Sequence, residues 1–172
     1  MIKGSPKKRI LKNQIRKNDA ATASKAQSTY SSWLLKNLDE TTALGAELIQ
    51  RIPNLRLLLL EGPLGVGKTS LVKGMAVTLG IKEPITSPTF PLAQHYLSGK
   101  PPLFHLDLYR LENHTDAEEL FIQEEEEAQD VNGLMVIEWP ERLHLDLPEA
   151  WKLKLEYMNE EIRLAKLIAP KI

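Results

Sequence analysis

The sequence predicts an α/β domain of three layers, with a mostly parallel central sheet and an antiparallel hairpin at its carboxyl end. Three observations predict it. Leu55 to Glu61 and Gly133 to Glu138 are short, aliphatic and unalternating, as strands buried on both faces of a parallel sheet are. A glycine-rich turn after the first of them runs into Leu71, Val72, Met75, Ala76 and Leu79 at helical spacing. Finally, Trp151 to Tyr157 and Ile162 to Ile168 each alternate, and Asn159-Glu160 lies between them as a turn.

The remaining elements follow in order. Ordered structure is expected from Tyr30, with a weak strand to Leu35 and then a helix capped by Asp39, inward at Leu44, Leu48 and Ile52 and ended by Pro53. Gly80 stops the helix after the glycine-rich turn. Residues 82–89 form a Pro/Ser/Thr loop, and Phe90 to Leu97 and Leu103 to Leu108 read as strands broken by Ser98-Gly99-Lys100-Pro101-Pro102. Thr115 and Glu118 stand at capping-box spacing before a helix with Leu120 and Phe121 on its apolar side. The acidic run Glu124 to Glu127 reads as its solvated end. The C-terminal hairpin is expected on the sheet edge.

A chain of 172 residues with 42% hydrophobic residues has room for one domain and a short appendage. Its apolar runs, such as Leu57 to Leu60, are far too short to span a bilayer, so no membrane segment is expected. The chain has no cysteine, which excludes disulfides and thiolate–metal sites and suits a reducing, cytoplasmic compartment. The net charge of −1 conceals a division: residues 1–29 hold eight of the 22 basic side chains and one of the 23 acidic ones. That segment reads as a disordered basic tail before a domain at 30–172. A phosphate-touching arm and a transit peptide are the alternatives.

Gly62-Pro63-Leu64-Gly65-Val66-Gly67-Lys68-Thr69 fits the phosphate-binding pattern G-x-x-x-x-G-K-[ST]. Its fixed positions match by chance in roughly one chain of this length in 250, and the required strand before and helix after are both present. Gly62 and Gly67 permit backbone angles and an approach that a Cβ would block. The amides of the loop, Leu64, Gly65, Val66 and Ser70 among them, then converge on phosphate oxygens with a helix N-terminus behind them. Lys68 is placed to reach the β- and γ-phosphates, and the Thr69 hydroxyl to ligate Mg²⁺. The fold is therefore expected to be P-loop NTPase-like, with ATP and Mg²⁺ as its ligands.

A P-loop needs an acid from a nearby strand end to complete the magnesium shell. Glu138 ends Leu134-Met135-Val136-Ile137, and Asp107 follows Leu103-Phe104-His105-Leu106. Parallel strands beside the P-loop strand bring both to one sheet edge, where ligands of open α/β folds bind. Spacing alone does not apportion metal binding and water orientation between them. Trp139 either stacks on a base or fills the core. Arg110 touches phosphate, a partner or only solvent, and His105 is as consistent with structure as with function.

These motifs together resemble the TsaE (YjeE) family, P-loop ATPases required for threonylcarbamoyladenosine in bacterial tRNA. The resemblance runs from about Asp39 to Ile168 and rests on Thr41-x-x-Leu44-Gly45, the P-loop, Ser87-Pro88-Thr89-Phe90, His105-x-Asp107-x-Tyr109-Arg110 and Glu138-Trp139-Pro140-Glu141. It implies that Thr69 and Glu138 bind Mg²⁺ and that Asp107 is the catalytic or water-orienting acid. It also implies that Thr41 lies in a segment lining the nucleotide site and that Arg163 approaches the nucleotide. A slow ATPase acting with TsaB- and TsaD-type proteins is implied, and contact with tRNA only through their complex. Pro63 departs from the family's usual aspartate and removes an N–H donor. The alternative, a P-loop small-molecule kinase, calls for an arginine-bearing lid, yet the stretch after Thr115 is acidic. No N-K-x-D segment for reading guanine occurs.

Overall fold

The computed structural model describes residues 30–171; the expected basic tail at 1–29 lies outside the described residues. Seven strands, β1 (Tyr30–Leu35), β2 (Leu57–Glu61), β3 (Ala93–Tyr96), β4 (Leu103–Asp107), β5 (Leu134–Glu138), β6 (Trp151–Tyr157) and β7 (Arg163–Ile168), form one sheet. Three helices accompany them: α1 (Leu38–Arg51), α2 (Lys68–Thr78) and α3 (His114–Asp130). The sheet order is β1-β7-β6-β2-β5-β4-β3. Strands β6, β2, β5 and β4 run parallel at the centre, flanked by antiparallel β7 on one side and antiparallel β3 on the other, and β1 pairs antiparallel to β7 beyond it.

The unalternating strands have a simple cause. Leu58 and Leu60 enter one apolar cluster with Leu44, Leu48, Leu71 and Met75 of α1 and α2. Leu57 and Leu59 enter the other, with Ala117, Phe121 and Ala128 of α3. A central strand that feeds two cores has no polar face to show. The three expected layers are present.

Helix α1 is capped by Asn37, whose side chain accepts from the Glu40 amide at 2.9 Å, while Glu40 accepts from the Lys36 amide at 2.7 Å. Asp39 instead lies in the first turn, where its charge complements the helix dipole. Helix α3 is likewise capped by Asn113 rather than by Thr115, and Glu118 receives the His144 amide at 3.1 Å. The acidic run lies within α3, and Glu124 is buried against His95 of β3 rather than solvated. Helices α1 and α2 meet at backbone distance. A Cβ on Gly45 would stand 2.0 Å from the Leu71 carbonyl oxygen, and one on Gly74 1.7 Å from that of Thr42.

The C-terminal hairpin β6–β7 forms as expected but does not hold the edge, because β1 pairs beyond it from Tyr30↔Ile168 to Leu35↔Arg163. On β7 it is Arg163, Ala165 and Leu167 that face inward. No helix among the described residues is long and apolar enough to cross a membrane.

Candidate functional site

Parallel strands end their chemistry on one rim. Leu60 of β2 lies beside Glu138 of β5, and Glu138 lies beside Asp107 of β4. Both acids are buried, at 3% and 2% exposure, although each ends a strand where solvent would be cheaper for a charge. Each is held by donors. The Thr69 hydroxyl and His105 Nε2 both meet Glu138 Oε1 at 2.9 Å. Asp107 Oδ2 accepts from Ser87 Oγ at 2.8 Å and Thr89 Oγ1 at 2.6 Å, and its Oδ1 accepts from the Tyr109 amide at 3.0 Å.

The loop from Gly62 to Gly67 bends under these acids and delivers α2, which starts at Lys68. Gly67 caps that helix in the left-handed region, φ +113°, where the Thr41 side chain of α1 lies against it. Lys68 is 4% exposed. Its Nζ donates to the carbonyls of Gly62 at 2.6 Å and Pro63 at 3.0 Å, and lies 4.0 Å from the centre of the Trp139 ring. Burial lowers the Lys68 pKa from its usual 10.5, and the charges of Glu138, Glu141 and Asp107 partly restore it. Trp139 itself has φ +61° and packs on Tyr109, with ring centroids 4.8 Å apart.

These groups surround a cavity of about 300 Å³. Of the residues expected at a nucleotide site, Leu64, Gly65, Gly67, Lys68, Thr69, Ser70, Asp107, Glu138 and Trp139 line it. Four others do not. Gly62 contributes its carbonyl to Lys68, and Val66 is buried behind the loop. The Thr41 hydroxyl donates to the Asn37 carbonyl at 3.1 Å. Arg163 supports the loop from behind, its Nε donating to the Val66 carbonyl at 2.8 Å, and lines a separate recess with Lys36 to Asp39, Glu160 and Glu161. Arg110 rests on the Phe90 ring at 4.0 Å.

Ser87, Thr89, Tyr109 and Leu38 line the cavity without having been assigned to it beforehand. The concentration of hydroxyls in Thr86-Ser87-Pro88-Thr89 is the signal that marks two of them. Thr69 and Glu138 themselves offer only oxygen, a hydroxyl and a carboxylate, which suits a hard cation. The hydrogen bond of 2.9 Å between Thr69 Oγ1 and Glu138 Oε1 brings the two oxygens side by side, as two ligands of one cation would be.

A glycine-rich loop between a buried parallel strand and a helix, with two acids at the neighbouring strand ends, defines a P-loop protein. Residues 35–166 match the family described as threonylcarbamoyl adenosine biosynthesis protein TsaE, and the chain belongs to that family. A Synechocystis protein named tRNA threonylcarbamoyladenosine biosynthesis protein TsaE is 45% identical over 112 residues, 64% of this chain and 71% of its own length. A Nostoc protein of the same name is 40% identical over 136 residues, 77% and 82% of the two chains. The crystal structure of Bacillus subtilis YdiB shares the fold with a TM-score of 0.59 and 24% identity, covering 82% of this chain and 86% of its own.

Proposed function

We propose that the protein is a magnesium-dependent ATPase serving threonylcarbamoyladenosine synthesis in tRNA, acting in the cytoplasm with TsaB- and TsaD-type partners. The carrying observation is the placement of Asp107 and Glu138 side by side at the rim that Lys68 and Thr69 also reach. Family membership supports the pathway, since the relatives bear its name.

In this reading the phosphates of ATP lie along the amides from Leu64 to Ser70. Lys68 exchanges the Gly62 and Pro63 carbonyls for phosphate oxygens and neutralises charge shifting toward the β–γ bridge. Thr69 and Glu138 would hold Mg²⁺, which when bound would offset the triphosphate charge. Asp107, immobilised by Ser87, Thr89 and the Tyr109 amide, accepts a hydrogen bond from the attacking water and orients it toward the γ-phosphorus. Catalysis of this kind is positioning plus electrostatics. Trp139 keeps the Lys68 ammonium desolvated beneath its ring.

The test is hydrolysis of γ-labelled ATP by the isolated protein and with its cognate TsaB–TsaD pair. Slow release of inorganic phosphate, rising with the pair, is expected. Label on an organic acceptor would replace the reading with a kinase. Absence of stimulation, together with unchanged behaviour of Glu138→Ala, would end it.

A further inference from the structure

His105 has no exposed surface, although it carries two polar ring nitrogens. It lies on the face of β4 that packs toward α2, two residues before Asp107. Its register partner on β5 is Val136, so the imidazole reaches one diagonal step along the sheet to meet Glu138. Nδ1 is buried and meets no hydrogen-bond partner among the described residues. A proton on Nδ1 would be a buried donor without an acceptor, so the ring proton belongs on Nε2, and Nε2 donates to Glu138 Oε1.

The neighbourhood is aliphatic, with Leu103 preceding it on the same face and Leu134 and Val136 on the adjacent strand. A leucine would fill such a place without burying an unpaired ring nitrogen. What a leucine lacks is the bond to the carboxylate. Glu138 Oε1 takes the Thr69 hydroxyl from the α2 side and the imidazole from the sheet side, so rotation of the carboxylate costs it one donor or the other.

We propose that His105 is a positioning residue: its Nε2–H fixes the Glu138 carboxylate in the orientation that receives magnesium, and so sets how strongly the metal tightens nucleotide binding. The proposal rests on the magnesium–nucleotide reading above. Partners that orient a metal ligand commonly change metal affinity when lost, by ~10-fold or more.

Calorimetric titration of the full chain with ADP, in excess magnesium and in chelator, reads this without reference to turnover. The gain in affinity due to magnesium should fall ~10-fold in His105→Leu, while the affinity in chelator stays at the wild-type value. His105→Gln, whose amide nitrogen stands near the Nε2 position, should restore most of the gain, and the shorter His105→Asn should not. A full magnesium gain in His105→Leu, or an equal loss with and without metal, would overturn the proposal. Should the leucine variant show no cooperative melt, the Gln and Asn variants decide, and equal magnesium gains in the two would overturn it. A wild-type protein without any magnesium gain would instead bring down the proposed function, which separates the two failures.

Discussion

Glu138→Ala removes an acceptor on which two donors converge, and its consequences are calculable before any nucleotide is added. Thr69 is half-exposed and can turn to water, whereas His105 has no access to solvent. A buried donor left without its partner costs about 1–3 kcal/mol, and the vacated side-chain volume adds to this. Relief of burying the carboxylate charge acts the other way. A net loss of about 2–3 kcal/mol corresponds to a melting temperature lower by about 5–10 °C for a chain of this size. Glu138→Gln keeps an acceptor oxygen without the charge, so it should recover most of that stability. Both variants should lose the magnesium-dependent part of ADP affinity. Thermal denaturation of the free protein, followed by titration with and without magnesium, measures both quantities. If Glu138→Ala melts with the wild type, or Glu138→Gln melts as early as Glu138→Ala, the shared hydrogen bonds do not support this acid as described.

Three further outcomes follow from the same geometry. Asp107→Ala should retain magnesium–ADP affinity within about threefold while hydrolysis drops by about 10²-fold or more, read by titration and phosphate release; loss of magnesium-dependent binding here but not in Glu138→Ala would exchange the two roles. Burial depresses the Lys68 pKa in the free protein, and phosphate favours its charged form, so nucleotide binding takes up protons and affinity weakens as pH rises through the alkaline range below 10.5. Calorimetry in buffers of different ionisation heat detects that uptake, and its absence in Lys68→Met assigns it. Gly74→Ala gains about 1 kcal/mol in an ordinary helix interior, yet here its methyl meets the Thr42 carbonyl; a loss of about 1–3 kcal/mol is expected by chemical denaturation.

The parts of the fold that were legible in the sequence are those whose residues meet one kind of environment. Leu57 to Glu61 and Leu134 to Glu138 are apolar on both faces, and their burial leaves no alternative reading. The P-loop was legible because its backbone requires glycine at particular places. The caps were misplaced because several polar residues compete near each helix start, and Asn37 and Asn113 win through backbone geometry that spacing does not carry. Placing β1 outside the hairpin required knowing that β7 keeps a free edge, a fact of topology. Within the site, Asp107 and Glu138 were visible as acids after apolar runs. The support that Arg163 gives to the Val66 carbonyl was not legible, since an arginine holding a loop carbonyl and one touching a nucleotide look alike in a string of letters. The fold is shared with B. subtilis YdiB; the roles within the site are part of the proposed function.

Asp107 and Glu138 are opposite numbers in a hydrogen-bonded ladder, so the gap between them is a property of the pleat. Neither can drift from the other without tearing main-chain bonds in the middle of the molecule. The floor of the cavity is thus set by the ladder, whereas its walls come from connections that leave the strands: the stretch bearing Ser87 and Thr89, and the corner formed by Tyr109 and Trp139. On the proposed function, a partner that speeds or slows turnover would act on those walls. Changes confined to them would then retune the rate while the proposed seat for the metal stays as it was.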